Sequence, residues 1–83
     1  MQEFMRKFEQ LNGIEAKVVL EHCLFDRQTF YCNLQTINDD KRVGVILKDQ
    51  EIYVYKQDIK VVYIWDDTYV IFDGRLTINV KKL

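Results

Sequence analysis

The sequence has no proline, only three glycines and no long apolar run, and each of these gaps excludes a class of protein. A Pro-rich or Gly-rich linker is excluded by composition. The longest uninterrupted apolar stretch is 61–65 (VVYIW), which is far too short to span a membrane. An excess of one charge is also missing, because 12 Lys and Arg stand against 13 Asp and Glu. This balance excludes a basic surface over the whole protein, although it allows a local basic patch.

Cysteine and histidine are scarce as well. Cys23 and Cys32 do not form a disulfide framework, and we expect two reduced, partly buried thiols. The only histidine, His22, is adjacent to Cys23, and neighbouring side chains on a strand point to opposite faces. We therefore expect no metal and no other cofactor. The N-terminal residues lack the apolar run of a signal peptide, so we expect a cytoplasmic protein without a membrane segment.

The length and composition of the 83-residue chain predict one small folded domain. Apolar residues make up 48% of the chain and charged residues 30%, which is too apolar for a disordered protein. A chain of this length buries only about 60–65% of its unfolded surface, so its core is small.

An apolar stripe at helical spacing occupies the N-terminus and predicts a helix over residues 1–12. Asn12-Gly13 supplies the end of this helix, since Gly13 adopts a left-handed conformation at low cost. The stripe must pack on another element, because so short a helix is marginal alone in water. Its members are Met1, Phe4, Met5, Phe8 and Leu11.

From Gly13 onward the pattern is typical of short strands rich in β-branched and aromatic residues. Residues 38–42 form a polar loop by composition, and we expect turns at 49–51 and at Asp66-Asp67. Gly44, within a strand, indicates a bend or a close approach. The predicted strands are 14–25, 28–37, 43–48, 52–56, 59–65, 68–72 and 75–81.

The last two strands flank Asp73-Gly74, a strong signal for a two-residue type I′ hairpin. With this turn Phe72 would face Arg75. Ile71 would then face Leu76 and Tyr69 would face Ile78, which gives the hairpin one apolar face.

The whole pattern predicts a mainly β fold, in which an N-terminal helix precedes a small, strongly bent SH3-like barrel. We expect a single domain over 1–83, with a helix at 1–12, barrel strands at 14–65 and an additional hairpin at 68–81. A flat sheet of this length would expose long edges, which favours closure.

Two short segments and the order of the elements resemble the Sm and Sm-like family, and its Hfq-like bacterial members in particular. NLQTIND at 33–39, with GVILKD at 44–49, is similar to the second and third strands of that family. IYVYKQDIKVV at 52–62 is similar to its last two strands, although Gln57 stands where the Hfq-like turn has histidine. The chain is thus identified as a divergent Sm-like candidate with an extra C-terminal hairpin.

The resemblance implies that single-stranded RNA binds near the loop 38–42 and the turn 56–58. The mixed charge of this region predicts either weak, salt-sensitive binding or simply a solvated loop. Neighbouring Asp39, Asp40 and Asp58 largely cancel the local cations. We expect Lys56→Ala or Tyr55→Ala to weaken binding. The residues implied for RNA binding are Asn38, Lys41, Arg42, Tyr55, Lys56, Gln57 and Tyr31.

The resemblance also implies an oligomer, because this family closes rings by pairing the strand at 52–56 with the strand at 59–65 of a neighbour. Residues 52–65 are too apolar to remain a bare edge, unless the hairpin 68–81 covers them. The edge residues implied are Ile52, Tyr53, Val54, Val61, Val62 and Tyr63.

The aromatic side chains leave two interpretations open: a platform for nucleobases, or ordinary strand packing. Lys81-Lys82 is interpreted as a solubilising tail that protects an edge. The sequence shows no nucleophile motif and no phosphate-binding loop, so we expect no enzyme. Two functions remain: weak RNA binding as a chaperone or adaptor, or a protein-interaction or self-assembly module without RNA binding. The aromatic set is Tyr31, Tyr53, Tyr55, Tyr63, Trp65 and Tyr69.

Overall fold

A computed structural model describes all 83 residues and confirms a mainly β fold with one N-terminal helix. That helix has eight residues, and no helix is both long and apolar enough to traverse a bilayer. A single 3-10 turn, η1, covers Lys56–Asp58. The other elements are α1 Gln2–Glu9, β1 Glu15–His22, β2 Phe25–Asn33, β3 Thr36–Asn38, β4 Arg42–Leu47, β5 Gln50–Tyr55, β6 Val61–Trp65, β7 Thr68–Phe72 and β8 Leu76–Lys82.

The strands form two antiparallel sheets, and the predicted closed barrel is wrong. One sheet has the order β2-β1-β8-β7-β6 and the other has the order β3-β4-β5. The chain changes sheet at Leu34-Gln35 and returns through η1, but β5 and β6 do not pair with each other. The backbone N–H of Lys60 instead donates to the carbonyl of Phe72 at 2.8 Å, which directs β6 into a ladder with β7. The C-terminal hairpin thereby widens one sheet, and β8 takes the place beside β1.

The hydrophobic core lies between the two sheets and contains no buried polar or charged residue. Alternation along β1 buries Ala16, Val18 and Leu20, as its sequence pattern predicts. The largest fully buried side chains are Phe8, Leu34, Ile71, Ile78, Val18, Val43, Val45 and Val80.

Helix α1 packs its apolar stripe on this core and contacts both β3 and β6, one strand from each sheet. The ring of Phe8 is fully buried, 6.0 Å from the ring of Phe4 and 6.4 Å from that of Tyr69. The helix is shorter than predicted because its last turn tightens: the N–H of Leu11 donates to the carbonyl of Phe8. Gly13 follows with a φ of 91°, as expected for a glycine that ends a helix.

Several strand boundaries differ from prediction because the chain leaves the strand conformation for two residues where composition gives no clear signal. The run 14–25 is interrupted at Cys23-Leu24, and the run 28–37 breaks at Leu34-Gln35, between β2 and β3. The turn predicted at 49–51 lies at Lys48-Asp49, with φ angles of 50° and 66°. The turn at Asp66-Asp67 is confirmed, with φ angles of 50° and 59°.

The register predicted for the C-terminal hairpin is wrong by two residues. Phe72 faces Thr77 and Ile71 faces Ile78, so the connection is longer than Asp73-Gly74 alone. The carboxylate of Asp73 accepts hydrogen bonds from the backbone N–H groups of Arg75 and Leu76, at 2.9 and 2.8 Å. This side chain closes a wider loop than the two-residue turn. A shift of two preserves the faces, and the inward-facing positions remain apolar.

Candidate functional site

Four of the residues implied for RNA binding lie together around a shallow depression of about 320 Å³ beside the end of β5. The pairing of Arg42 with Tyr55 brings the loop after β3 next to η1, and the N–H of Lys56 donates to the carbonyl of Lys41 at 2.8 Å. The lining residues are Asp40, Lys41, Tyr55, Lys56 and Gln57.

Asp39 organises the loop that borders this depression. Its carboxylate accepts hydrogen bonds from the backbone N–H groups of Lys41 and Arg42, at 2.9 and 2.7 Å, and from the Arg42 guanidinium at 2.9 Å. These bonds lower the pKa of Asp39 to about 2. Arg42 also pairs with Glu51 at 3.1 Å and lies 4.9 Å from the centre of the Tyr53 ring. Its ion pairs raise the pKa of Arg42, which stays charged.

The charges around the depression are mostly satisfied by the protein itself. Arg42 is held by two carboxylates, and the ammonium of Lys56 donates to the backbone carbonyl of Asp39. Lys41 alone of the three cations forms no ion pair or side-chain hydrogen bond, and the Asp40 carboxylate lies beside it. An incoming phosphate would therefore meet little uncompensated positive charge here.

Three implied RNA residues do not line the depression: Arg42, which borders it, and Asn38 and Tyr31, which lie elsewhere. Asn38 directs its amide toward α1, where Nδ2 donates to the carbonyl of Met5 and to Glu9 at 3.4 Å, while its Oδ1 is buried without a partner. Tyr31 lies on β2, in the other sheet, and lines a separate depression with Leu83.

A different surface gathers exposed aromatic and cationic side chains: the outer face of the five-stranded sheet. Successive strand pairs place Tyr31 beside Lys17, Lys17 beside Lys81, Lys81 beside Thr68, and Thr68 beside Trp65. Partners in antiparallel strands point to the same side, so these residues form one row. With strands about 4.8 Å apart, the row spans about 19 Å.

The aromatic residues of this face are unusually open to solvent. Trp65 is 75% exposed, Tyr31 is 68% exposed, and Tyr63 in the next row is 50% exposed. Large exposed aromatic side chains grouped on one face mark an interaction surface more often than isolated ones do.

Two lysines face each other directly within the row. Lys17 and Lys81 are paired across β1 and β8, and neither forms an ion pair. Like charges directly opposite on a sheet are destabilising, and a bound anion would relieve the repulsion. The acidic residue adjacent to the row is Glu15, two residues from Lys17 on the same strand and beside Tyr31, and it forms no ion pair with either lysine. Glu21, further along β1, binds Arg27 at 3.0 Å and accepts from Asn79 at 3.3 Å.

The sequence interpretation missed this row. Lys81 was assigned to a tail and Lys17 had no role, whereas Tyr31, Tyr63 and Trp65 did belong to the predicted aromatic set. Only the register of β8 against β1 reveals that these side chains share a face, because Lys17 and Lys81 are far apart in the chain.

The residues implied for the oligomer edge lie on β5 and β6, and both strands are outermost in their sheets. Val54 is buried and Ile52 packs against the core, whereas Val61 and Tyr63 are exposed. The hairpin 68–81 covers one edge of β6 through β7 and leaves the other edge open.

The histidine and its neighbouring cysteine do not diverge, contrary to expectation. Cys23 lies in the turn after β1, so its Sγ is 3.9 Å from Nδ1 of His22. That nitrogen accepts a hydrogen bond from the N–H of Leu24 at 3.0 Å, which occupies it within the turn. Both cysteines are free, and burial raises the pKa of the Cys32 thiol.

Comparison of the chain with protein families, with curated proteins and with solved structures found no match.

Proposed function

We propose that this protein binds single-stranded nucleic acid, RNA in the first instance, on the outer face of its five-stranded sheet. The observation that carries the proposal is the row in which the unpaired Lys17 and Lys81 lie between exposed Tyr31 and Trp65. Bases stack on aromatic rings while phosphates contact lysines, and this combination recognises single strands with little sequence preference. Such a protein would act as a weak chaperone or adaptor, although the Sm-like resemblance implied a different place for the RNA, near the loop 38–42 and the turn 56–58.

The energetics favour weak binding that depends strongly on salt. Each stacked base contributes about 1–3 kcal/mol, which a few exposed rings would supply. The electrostatic part is limited, because the net charge is −1 and only two lysines lie in the row. For a single strand, each phosphate contact that is lost reduces the magnitude of the slope of log affinity against log salt by about 0.7.

The sole tryptophan provides a direct test of the proposal. Trp65 is 75% exposed, so we expect an unstructured oligouridylate to quench its fluorescence at low ionic strength as a base stacks on the indole. Lys17→Ala and Lys81→Ala should each weaken binding and reduce the magnitude of the slope of log affinity against log salt by about 0.7.

Lys41→Ala and Lys56→Ala are the matched controls, since they remove lysines from the depression beside Tyr55, and we expect them to leave binding nearly unchanged. If Lys56→Ala and Tyr55→Ala weaken binding instead, the nucleic acid lies in that depression. An absence of binding at low salt would contradict the proposal.

A second candidate, a protein-interaction module without RNA binding, is favoured by one specific observation. Strand β6 contains no charged residue and four of its five residues are exposed at an open sheet edge. Such an edge commonly pairs with another chain.

A further inference from the structure

We infer that β6 is a self-association edge, which pairs antiparallel with β6 of a second copy so that Tyr63 faces Tyr63 across a two-fold axis. This pairing would join two five-stranded sheets into one continuous sheet. The inference concerns a contact between copies and does not depend on nucleic-acid binding.

The other open edges contain charged residues or are very short, whereas β6 contains no charged residue and, apart from its partner β7, has only α1 packed near it. The two sheets end in β2, β6, β3 and β5. Strand β2 contains Asp26 and Arg27, and β3 is only three residues long. Strand β5 contains Glu51, which Arg42 reaches from β4. Charged residues and short length are the usual protection of sheet edges, so β6 is the unprotected edge of this protein.

Strand β6 is also accessible to a partner. Val61 is 45% exposed, Tyr63 50%, Ile64 39% and Trp65 75%, although all four are apolar or aromatic. Backbone groups on the side away from β7 have no strand to pair with. A second strand at this edge would satisfy those groups and shield apolar surface at the same time.

The sequence of β6 and its flanks is complementary to itself. Lys60 precedes the strand, where it borders a depression shared with Asp58 and Asp73, and Asp66 follows the strand as the first residue of a left-handed turn. With Tyr63 on the two-fold axis, Lys60 of each copy lies opposite Asp66 of the other, because the two positions are equidistant from Tyr63. Opposite charges therefore meet at both ends of the paired strands, and cross-strand pairs of this kind are stabilising.

The apolar positions match in the same register. On the outer face Val61 lies opposite Trp65 of the second copy, and Tyr63 lies opposite its equivalent. On the inner face Val62 lies opposite Ile64. A slip of two residues would place Asp66 against Val62, so the register is specified by the sequence.

The ring implied by the resemblance is less complementary when β5 and β6 are aligned centre to centre. It requires β5 of one copy to pair with β6 of the next. An in-register overlap of 50–56 with 60–66 would place Lys56 opposite Lys60. Isologous pairing of β6 avoids this repulsion and closes at two copies.

Sedimentation equilibrium of the full chain tests the inference by charge reversal. We expect the wild type to form a dimer of twice the 10.0 kDa chain mass. Lys60→Glu and Asp66→Lys should each weaken the dimer roughly tenfold, and the double variant should recover most of the affinity. Lys41→Glu, a reversal at an unpaired lysine away from β6, is the matched control and should have no effect.

Cross-linking through an introduced cysteine provides a second test that does not depend on the stability of the charge-reversal variants. In a Cys23→Ser background, Tyr63→Cys should cross-link two copies under mild oxidation, whereas Tyr31→Cys, at a more exposed position on β2, should not. A monomer at all concentrations, a larger ring, or a dimer insensitive to the reversals would overturn the inference. None of these outcomes alters the expected quenching of Trp65 by RNA, so the two proposals fail separately.

Discussion

Gly44→Ala is expected to destabilise the protein by about 3 kcal/mol or more, because the added methyl group would collide with backbone. A Cβ at this position would overlap the carbonyl oxygen of Ile52 and lie 2.6 Å from Cα of Tyr53. These atoms belong to β5, which pairs with β4 at this point, so relief requires the two strands to separate. A domain of this size has a total stability of only about 4–12 kcal/mol. Urea denaturation followed by circular dichroism measures the loss.

Gly13→Ala is the matched control, since Gly13 has a φ of 91° and nothing lies within 4 Å of an added Cβ. Only conformational strain of about 1 kcal/mol is expected there. If Gly44→Ala remained as stable as the wild type, the close approach of β4 and β5 would be disproved.

Phe8→Ala is expected to cost about 3–5 kcal/mol and to detach α1 from the core. The side chain is fully buried and stacks on Phe4, while Tyr69 contacts it from β7. An eight-residue helix has little stability of its own, so loss of its anchor exposes the space between the two sheets. Thermal unfolding and urea titration both measure this effect.

Phe25→Ala makes the same chemical change at a side chain that is 71% exposed, and it should alter the free energy of unfolding by less than about 0.5 kcal/mol. Equal effects of the two substitutions would contradict the placement of α1 over the core.

The features predicted well from sequence are those set by local periodicity. The spacing of Phe4 and Phe8 identifies the buried face of α1, and the alternation around Val18 identifies the inward face of β1. Gly44 was expected to mark a bend or a close approach, and the close approach is confirmed. Each of these signals lies within a few neighbouring residues, where the helix or strand period fixes which side chains share a face.

The features predicted badly depend on competition between distant partners. Closure of a barrel requires β5 to meet β6, but the added hairpin offers β6 another partner and brings β8 beside β1. Composition does not reveal which of these pairings is preferred. The two-residue turn predicted at Asp73-Gly74 is wrong for a local reason, because the Asp73 carboxylate closes a wider loop through hydrogen bonds.

In the candidate site, too, the residues close in sequence were predicted and the grouping of distant strands was not. Lys41, Tyr55 and Lys56, which the resemblance implies for RNA binding, line one depression, and the sequence predicts that neighbouring aspartates cancel their charge. The row that contains Lys17 and Lys81 depends on the register between the first and last strands, which no local pattern encodes.

The two proposals combine without conflict on one sheet. Pairing at β6 uses the strand edge, whereas stacking uses side chains that project from the outer face. A dimer would place two such faces side by side, and a single strand crossing both would gain affinity through effective concentration.

The most direct test of the central claim is an NMR titration of the uniformly labelled protein with an unstructured oligouridylate at low ionic strength. The largest changes in amide chemical shift are expected at Lys17, Tyr31, Trp65 and Lys81, together with the indole N–H. Changes confined to Lys41, Tyr55 and Lys56, or no changes at all, would contradict the assignment of the outer face as the nucleic-acid interface.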